Sequence, residues 1–373
     1  MEIDIYDREI IQEGTIDKIS SLVWTRRYWD CGDFQMLVPY TDRHYSLLQN
    51  NNLIVKRHDN EMAEIKYIDI KKDSQGLEVI EVQGNFLPVL LDRRIVLNQI
   101  ITTDNTQNIL YRIVRENATN PTNPARIIPR LSIEQTPDIG SGQVDYASEP
   151  FPNVLPACET AAKAAKIGFR VCTDIRGRQH KFSVYKGKDL TAGNADGNRP
   201  CIFSPEFDNI LEQEYTNSIE SLKTAAYVGG EESENTPRKV VEVGSSLTGL
   251  DRIEMFVDAS DIQQTYKDAS GNDVTMSYVQ YLNMLTARGA QELGNSLETL
   301  AFASKVNPNT NLRYREDFDI GDRVTCINKR WGIKIDVRIT EIIETYENGR
   351  QDIEVTFGES LPALIDKIRK IAK

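Results

Sequence analysis

Val23-Trp24-Thr25-Arg26-Arg27-Tyr28-Trp29-Asp30-Cys31-Gly32-Asp33-Phe34-Gln35-Met36-Leu37-Val38-Pro39 reads as two short strands around a glycine turn. Bond-making chemistry needs nucleophiles, bases or metal ligands. This segment instead supplies large flat side chains and fixed charges, the parts of a holding surface. Strand alternation puts Leu22, Trp24 and Arg26 on one face and Val23, Thr25 and Arg27 on the other. Fixed positive charge beside aromatic area is enriched at interfaces, so Trp24, Arg26, Arg27, Tyr28 and Trp29 are the candidate interface residues. The plainer alternative is one packed Trp with a solvated arginine pair.

Outward from this segment the first hundred residues stay strand-rich. Met1, Ile3 and Ile5 alternate with polar residues, and the runs Ile65 to Ile70 and Leu77 to Val82 flank a turn at Asp73-Ser74-Gln75-Gly76. Short alternating runs parted by Gly, Asn and Asp predict a barrel or sandwich over residues 1–101. Residues 102–215 predict a small α+β domain. It opens with a helix capped at Asp104-Asn105-Thr106-Gln107 and carries a long irregular loop from Asn120 to Pro152. A second helix from Leu155 to Lys166 and a hairpin around Arg176-Gly177-Arg178 follow. The segment 216–360 returns to strands, interrupted by a helix over 276–304 with its stripe at Tyr278, Leu282, Leu285, Gly289, Leu293, Leu297 and Leu300. Its clearest element is a hairpin in which Ile333, Ile335, Val337 and Ile339 alternate with polar residues before an Asn348-Gly349 tip. Residues 361–373 predict an amphipathic, basic-ended helix that packs on its own chain or on a partner.

The two strand-rich blocks share a trait. In each, the turn glycine is followed five residues later by Glu-Val: Gly76 to Glu81-Val82, and Gly349 to Glu354-Val355. Duplication of one β unit would leave such a trace, although hairpins also look alike by chance.

A formal net charge of -12 disfavours a protein that wraps nucleic acid, yet suits a surface past which DNA slides. The five cysteines are scattered without a CxxC pair, which argues for free thiols. No apolar run approaches the ~20 residues of a membrane span, and the first residues lack a signal-peptide pattern, so synthesis in the cytoplasm is expected. His44, His58 and His180 form no HExxH or HxH motif, and His44 and His58 read as surface residues. There is no GxSxG, P-loop or GxGxxG, and no catalytic, cofactor or metal site is assigned. Asp268 to Asp273 lacks the spaced carboxylates of a calcium loop, and Gly229-Gly230 leads into the acidic run Glu231 to Glu234, which would repel phosphate.

The ordered set of motifs resembles siphophage tail-hub proteins. Trp24-Thr25-Arg26-Arg27-Tyr28 with Gly32-Asp33-Phe34 and Pro39 looks like that family's N-terminal signature, and Leu91-Asp92-Arg93-Arg94-Ile95 its next segment. Tyr227-Val228-Gly229-Gly230-Glu231, Gly249-Leu250-Asp251-Arg252-Ile253-Glu254, Asp319-Ile320-Gly321-Asp322-Arg323-Val324 and Ile333-Lys334-Ile335-Asp336 continue it along nearly the full length.

The resemblance implies an α+β, mainly β fold. Two related β-barrel domains carry an inserted small α+β domain and one long helix, as in contractile-tail baseplate hubs. It implies a non-enzymatic homotrimer at the virion tail tip, forming a pseudo-six-fold ring with DNA passing through without specific binding. Implied partners are the distal tail protein or tail tube ring, the tape measure protein, and tail fibre or receptor-binding proteins. No cofactor is implied. A tail-associated cell-wall hydrolase is the enzymatic alternative, though the chain ending at Lys373 leaves no room expected for such a domain. A host-surface binding module, or the hub of a contractile injection system or tail-like bacteriocin, are the others.

Overall fold

A computed structural model describes residues 1–72, 76–232, 237–267, 272–307, 312–347 and 349–358. The expected C-terminal helix, the expected turn at Asp73 to Gln75, the residues Asp268 to Gly271 and the expected tip residue Asn348 lie outside the described residues.

Alternating sequence becomes strand, as expected, and the chain is mainly β. The first block contains β1 (Ile3–Tyr6), β2 (Gln12–Ile16), β3 (Ser21–Arg27), β4 (Asp33–Pro39), β5 (Leu53–Lys56), β6 (Ala63–Lys72) and β7 (Glu78–Phe86). Five of these lie side by side as β3-β4-β7-β6-β5. The strands Ile210–Ser218, Thr299–Val306, Arg323–Asn328, Ile333–Glu347 and Arg350–Gly358 repeat that pattern in the same chain order.

The likeness extends to register. β6 carries a bulge between Ile65 and Tyr67, and Ile333–Glu347 carries one between Ile339 and Glu341. Just past the bulge Ile68 faces Val82 in one unit and Ile342 faces Val355 in the other. Phe34 faces Gly84 and Trp24, while Phe302 faces Phe357 and Tyr215. The two Glu-Val pairs of the sequence therefore occupy one structural position. A bulge adds a residue and reverses which side chains point inward. That is why Ile339 and Ile342, on opposite parities of one strand, are both fully buried.

The units are joined edge to edge. β3 pairs antiparallel with the far half of Ile333–Glu347, from Arg27 opposite Glu341 to Ser21 opposite Glu347. One sheet thus runs through both, and Ile3, Trp24, Phe34, Met36 and Val82 form the core beneath the first unit. A larger core binds the second unit to the region that follows β7.

Two long connections hang from this frame. The first holds helices Thr106–Val114 and Val154–Ala165 and the hairpin Gly168–Asp174 with Gln179–Tyr185. Asn105, rather than Asp104, caps the first helix by accepting from the Asn108 N–H. The stretch expected to be an irregular loop contains two strands: Leu131–Ile133 pairs parallel with Gln179–Tyr185, and Gln143–Ala147 pairs with Ile101–Asn105. Sheet addition satisfies backbone groups that Pro- and Ser-rich composition alone leaves unplaced. The expected boundaries near 101 and 215 fall inside the strands Ile101–Asn105 and Ile210–Ser218.

The second connection, 219–298, replaces the short turn that joins β3 to β4 in the first unit. It carries a three-stranded sheet and a helix over Tyr278–Gly294, capped by Ser277. The helix expected over 276–304 stops there, because Gly294-Asn295 favours termination and Thr299–Val306 is a strand of the main sheet. Phe302, Ser304 and Val306 point inward at strand spacing, a period that the leucine stripe had masked. Among the described residues no helix is long and apolar enough to cross a membrane.

Candidate assembly site

β3 is hydrogen-bonded on both sides, and its inward side chains are buried against the groups packed beneath the sheet. Trp24 and Tyr28 are fully buried, Arg26 is 3% exposed and Trp29 8%; only Arg27 is partly accessible. Four of the five candidate interface residues are thus buried inside one chain, near the seam between its two β units, and Arg27 lies on the opposite face of the sheet. His44, expected on the surface, is also buried, with its Nδ1 2.8 Å from the Pro39 carbonyl oxygen, whereas His58 is exposed.

Burying Arg26 demands compensation. Its Nε and Nη2 reach the two Glu61 oxygens at 3.0 and 2.5 Å, a bidentate pair, and its Nη1 donates to Asp319 at 2.6 Å and to the Tyr314 hydroxyl at 2.9 Å. Burial would raise the Glu61 carboxyl, but Arg26 overrides it and holds the group down at about 2. Beside this cluster Lys56 Nζ lies 2.6 Å from Glu344, which also accepts from the Tyr314 and Tyr346 hydroxyls at 3.2 and 2.7 Å. The same ammonium stands 5.5 Å from the Trp24 ring. Arg26, Lys56 and Glu61 come from the first unit, and Tyr314, Asp319 and Glu344 from the second. A cleft of about 600 Å³ opens at this seam, lined in part by Lys56, Asp59, Arg315 and Tyr346.

Tyr28 is the other fastening. Its N–H donates to Thr340, its ring meets Tyr185 edge-on at 5.3 Å, and the Arg338 guanidinium sits 5.1 Å from it. Gly168 and Gly321 press against the same ring, so that a Cβ on either would stand 2.4 or 2.5 Å from it. Trp29 packs beside it at 5.5 Å. The next turn is held by Glu159, which accepts the Cys31 N–H at 2.9 Å. Burial, with Asp30 adding like charge, pushes the Glu159 carboxyl up to about 7.

A raised carboxyl binds its proton more tightly in the folded chain, so stability is lost as pH rises from the free value of 4.5 to about 7. Glu159→Gln keeps the acceptor and removes that loss. Relative to the parent it is expected to gain about 1–3 kcal/mol between pH 5 and 8 in denaturant titrations. A difference that does not change with pH refutes this.

The opposite face of the sheet is polar and crosses the seam without a break. One row runs through register partners Lys305, Glu354, Ile343, Thr25, Asp33 and Asn85. Cations on this face are tied to carboxylates: Lys305 to Asp352 at 2.8 Å, Arg27 to Asp33 and Glu341 at 2.5 and 2.8 Å, and Lys71 to Glu81 and Asp69 at 2.5 and 3.2 Å. Glu212, Glu214, Glu347 and Glu354 are exposed on it, and Arg350 stands at the hairpin end. Among the described residues no group of His, Cys, Asp or Glu is arranged to hold a metal ion.

The sequence reading missed Glu61, Tyr314 and Glu344. Glu344 was readable, because it shares parity with Ile342 once the doubled Ile342-Ile343 is recognised as a break in alternation. Glu61 and Tyr314 lie outside any periodic run and carry no such signal.

The fold is shared with solved tail proteins. Tail protein gp18 of a Listeria monocytogenes EGD-e prophage is 14% identical with a TM-score of 0.56, covering 100% of this chain and 98% of that one. The 43 kDa tail protein of prophage MuSo2 from Shewanella oneidensis is 12% identical, TM-score 0.58, over 96% and 98% of the two chains. A tail protein from Neisseria meningitidis MC58 is 12% identical, TM-score 0.54, over 96% and 97%. Comparison with curated protein sequences finds no match. A family model spans residues 2–359, holding both β units and everything between them, and the chain thus belongs to the siphovirus ReqiPepy6 Gp37-like protein family.

Proposed function

We propose that the protein is a structural hub of a long-tailed phage tail, three copies of which form a pseudo-six-fold ring at the tail tip. The observation that carries this reading is the duplicated five-stranded unit, with one bulge and one register in both copies. Three chains with two equivalent units each present six similar positions. Such a ring mates with a six-fold tail tube or distal tail ring on one side and with three-fold tip or fibre components on the other. The tape measure protein would meet the same ring from within the tube.

In this reading the polar face of the sheet lines the passage. Nucleic acid is held by clustered, accessible lysine and arginine. Here the cations are largely committed to carboxylates, and the remaining charge is negative, so DNA passes without sticking. The Trp24 to Trp29 residues serve assembly from inside, by fixing the angle between the units of each chain. The connections 87–209 and 219–298 stand away from the ring and are its surfaces for fibres or tip proteins. No catalytic role is included: burial raises the thiols of Cys31, Cys158, Cys201 and Cys326, and His180, with Nδ1 3.0 Å from Thr173, is held down at about 4 by burial.

Light scattering of the purified chain over a range of concentrations tests this. A species of three chains is expected at high concentration. A chain that stays monomeric throughout, or forms a symmetric dimer, overturns the ring.

A further inference from the structure

The seam inside each chain shows how one β unit docks on another, and one copy of that docking is missing. In the second unit, Ile333–Glu347 pairs with Arg323–Asn328 before its bulge, then turns its far half to β3 of the first unit. In the first unit, β6 behaves the same way up to its bulge. It pairs with β5 at Ala63 and Glu64, while beyond the bulge Tyr67 to Lys72 have no strand on that edge among the described residues. The complementary element also has a free edge. Ile210–Ser218, the second unit's equivalent of β3, pairs with Thr299–Val306 and, among the described residues, ends the sheet.

We infer that Ile210–Ser218 of one copy adds antiparallel to the free edge Tyr67 to Lys72 of the next copy, in the register that β3 takes on Ile333–Glu347. The inference rests on the ring reading above and names its contact. Transferring the register through equivalent positions puts Ser218 opposite Tyr67, Thr216 opposite Asp69, Tyr215 opposite Ile70 and Glu214 opposite Lys71. These pairings are chemically matched. Glu214 and Lys71 are opposite charges at facing positions, which favours pairing. Ile70 is 44% exposed although it occupies the place of Glu344, which is buried beside its register partner Trp24. The half-buried Tyr215 would cover it. Exposed edges of this kind invite strand addition unless a partner occupies them. The contact is head to tail, since two different edges meet, and repeated head-to-tail contacts close into a ring when the rotation permits.

Directly opposed residues on antiparallel strands have Cα atoms about 4.5–5.5 Å apart, within the range a disulfide bridges. The test is the full chain carrying Thr216→Cys and Asp69→Cys, oxidised and run on a non-reducing gel beside light scattering. Neither position is buried, so the fold is retained. Covalent dimers and trimers are expected from this double variant, not from either single variant. Thr216→Cys with Lys71→Cys, offset by two residues, is expected to cross-link at least several-fold less. A three-chain species by light scattering without the 216–69 cross-link overturns the strand pairing and leaves the ring standing. A chain that remains monomeric overturns both.

Discussion

Arg26→Ala is expected to cost about 3–5 kcal/mol of folding stability, the usual consequence of removing one partner of a buried ion pair. Glu61 would be left in a closed seam with its main counter-charge gone, and Asp319 and Tyr314 would lose a donor. The pH dependence separates this cause from lost packing. In the parent, Glu61 is held at about 2 against a free value of 4.5, so its contribution is fully present above pH 4.5 and is lost as pH falls toward 2. A shift of that size corresponds to about 3 kcal/mol. Without Arg26 burial dominates, the carboxyl rises, and the variant's deficit shrinks in acid. Urea unfolding followed by tryptophan fluorescence at pH 3 and pH 7 measures both arms. Arg26→Met with Glu61→Gln is expected to recover much of the loss, because it leaves no unpaired buried charge. A cost below about 1 kcal/mol, or a deficit equal at both pH values, counts against the network's role in holding the units together.

The same network explains what was legible in the sequence. Alternation revealed β3, β4 and the Ile333–Glu347 hairpin, since period-two burial is written directly into residue order. The Glu-Val trace of duplication was readable for the same reason. The seam was not, because it depends on which edges meet, and a strand's outer partner leaves no periodic mark. Two arginines in an acidic chain look like a surface pair until the partners Glu61 and Asp319 arrive from 35 and 293 residues away. The helix end failed differently: Leu293, Leu297 and Leu300 fit helical spacing, while Phe302, Ser304 and Val306 fit a strand, and sheet membership decided between them. The Trp24 to Tyr28 motif and the Asp319 to Val324 motif, far apart in the sequence, meet in the structure. They touch, through Arg26 to Asp319 and Tyr28 to Gly321.

That second contact yields the other large effect. Tyr28→Ala empties a fully buried site where three parts of the chain meet, and aromatic truncations of this kind cost about 3–5 kcal/mol. Tyr28→Phe is expected to cost less, about 1–2 kcal/mol, because it keeps the ring and gives up only the hydroxyl's 3.4 Å contact to the Tyr185 carbonyl and its backbone partners at Gly187 and Gly168. Gly321 has φ +91°, and a Cβ there would stand 2.5 Å from the Tyr28 ring. Gly321→Ala therefore combines backbone strain with overpacking, for about 2–4 kcal/mol. The two sites share one volume, so their effects do not add. Removing the ring vacates the space that the new methyl invades. In the Gly321→Ala background, Tyr28→Ala is expected to cost at least about 1 kcal/mol less than in the parent. Strict additivity would mean that the ring and the glycine do not press on each other, and would overturn this account of the contact.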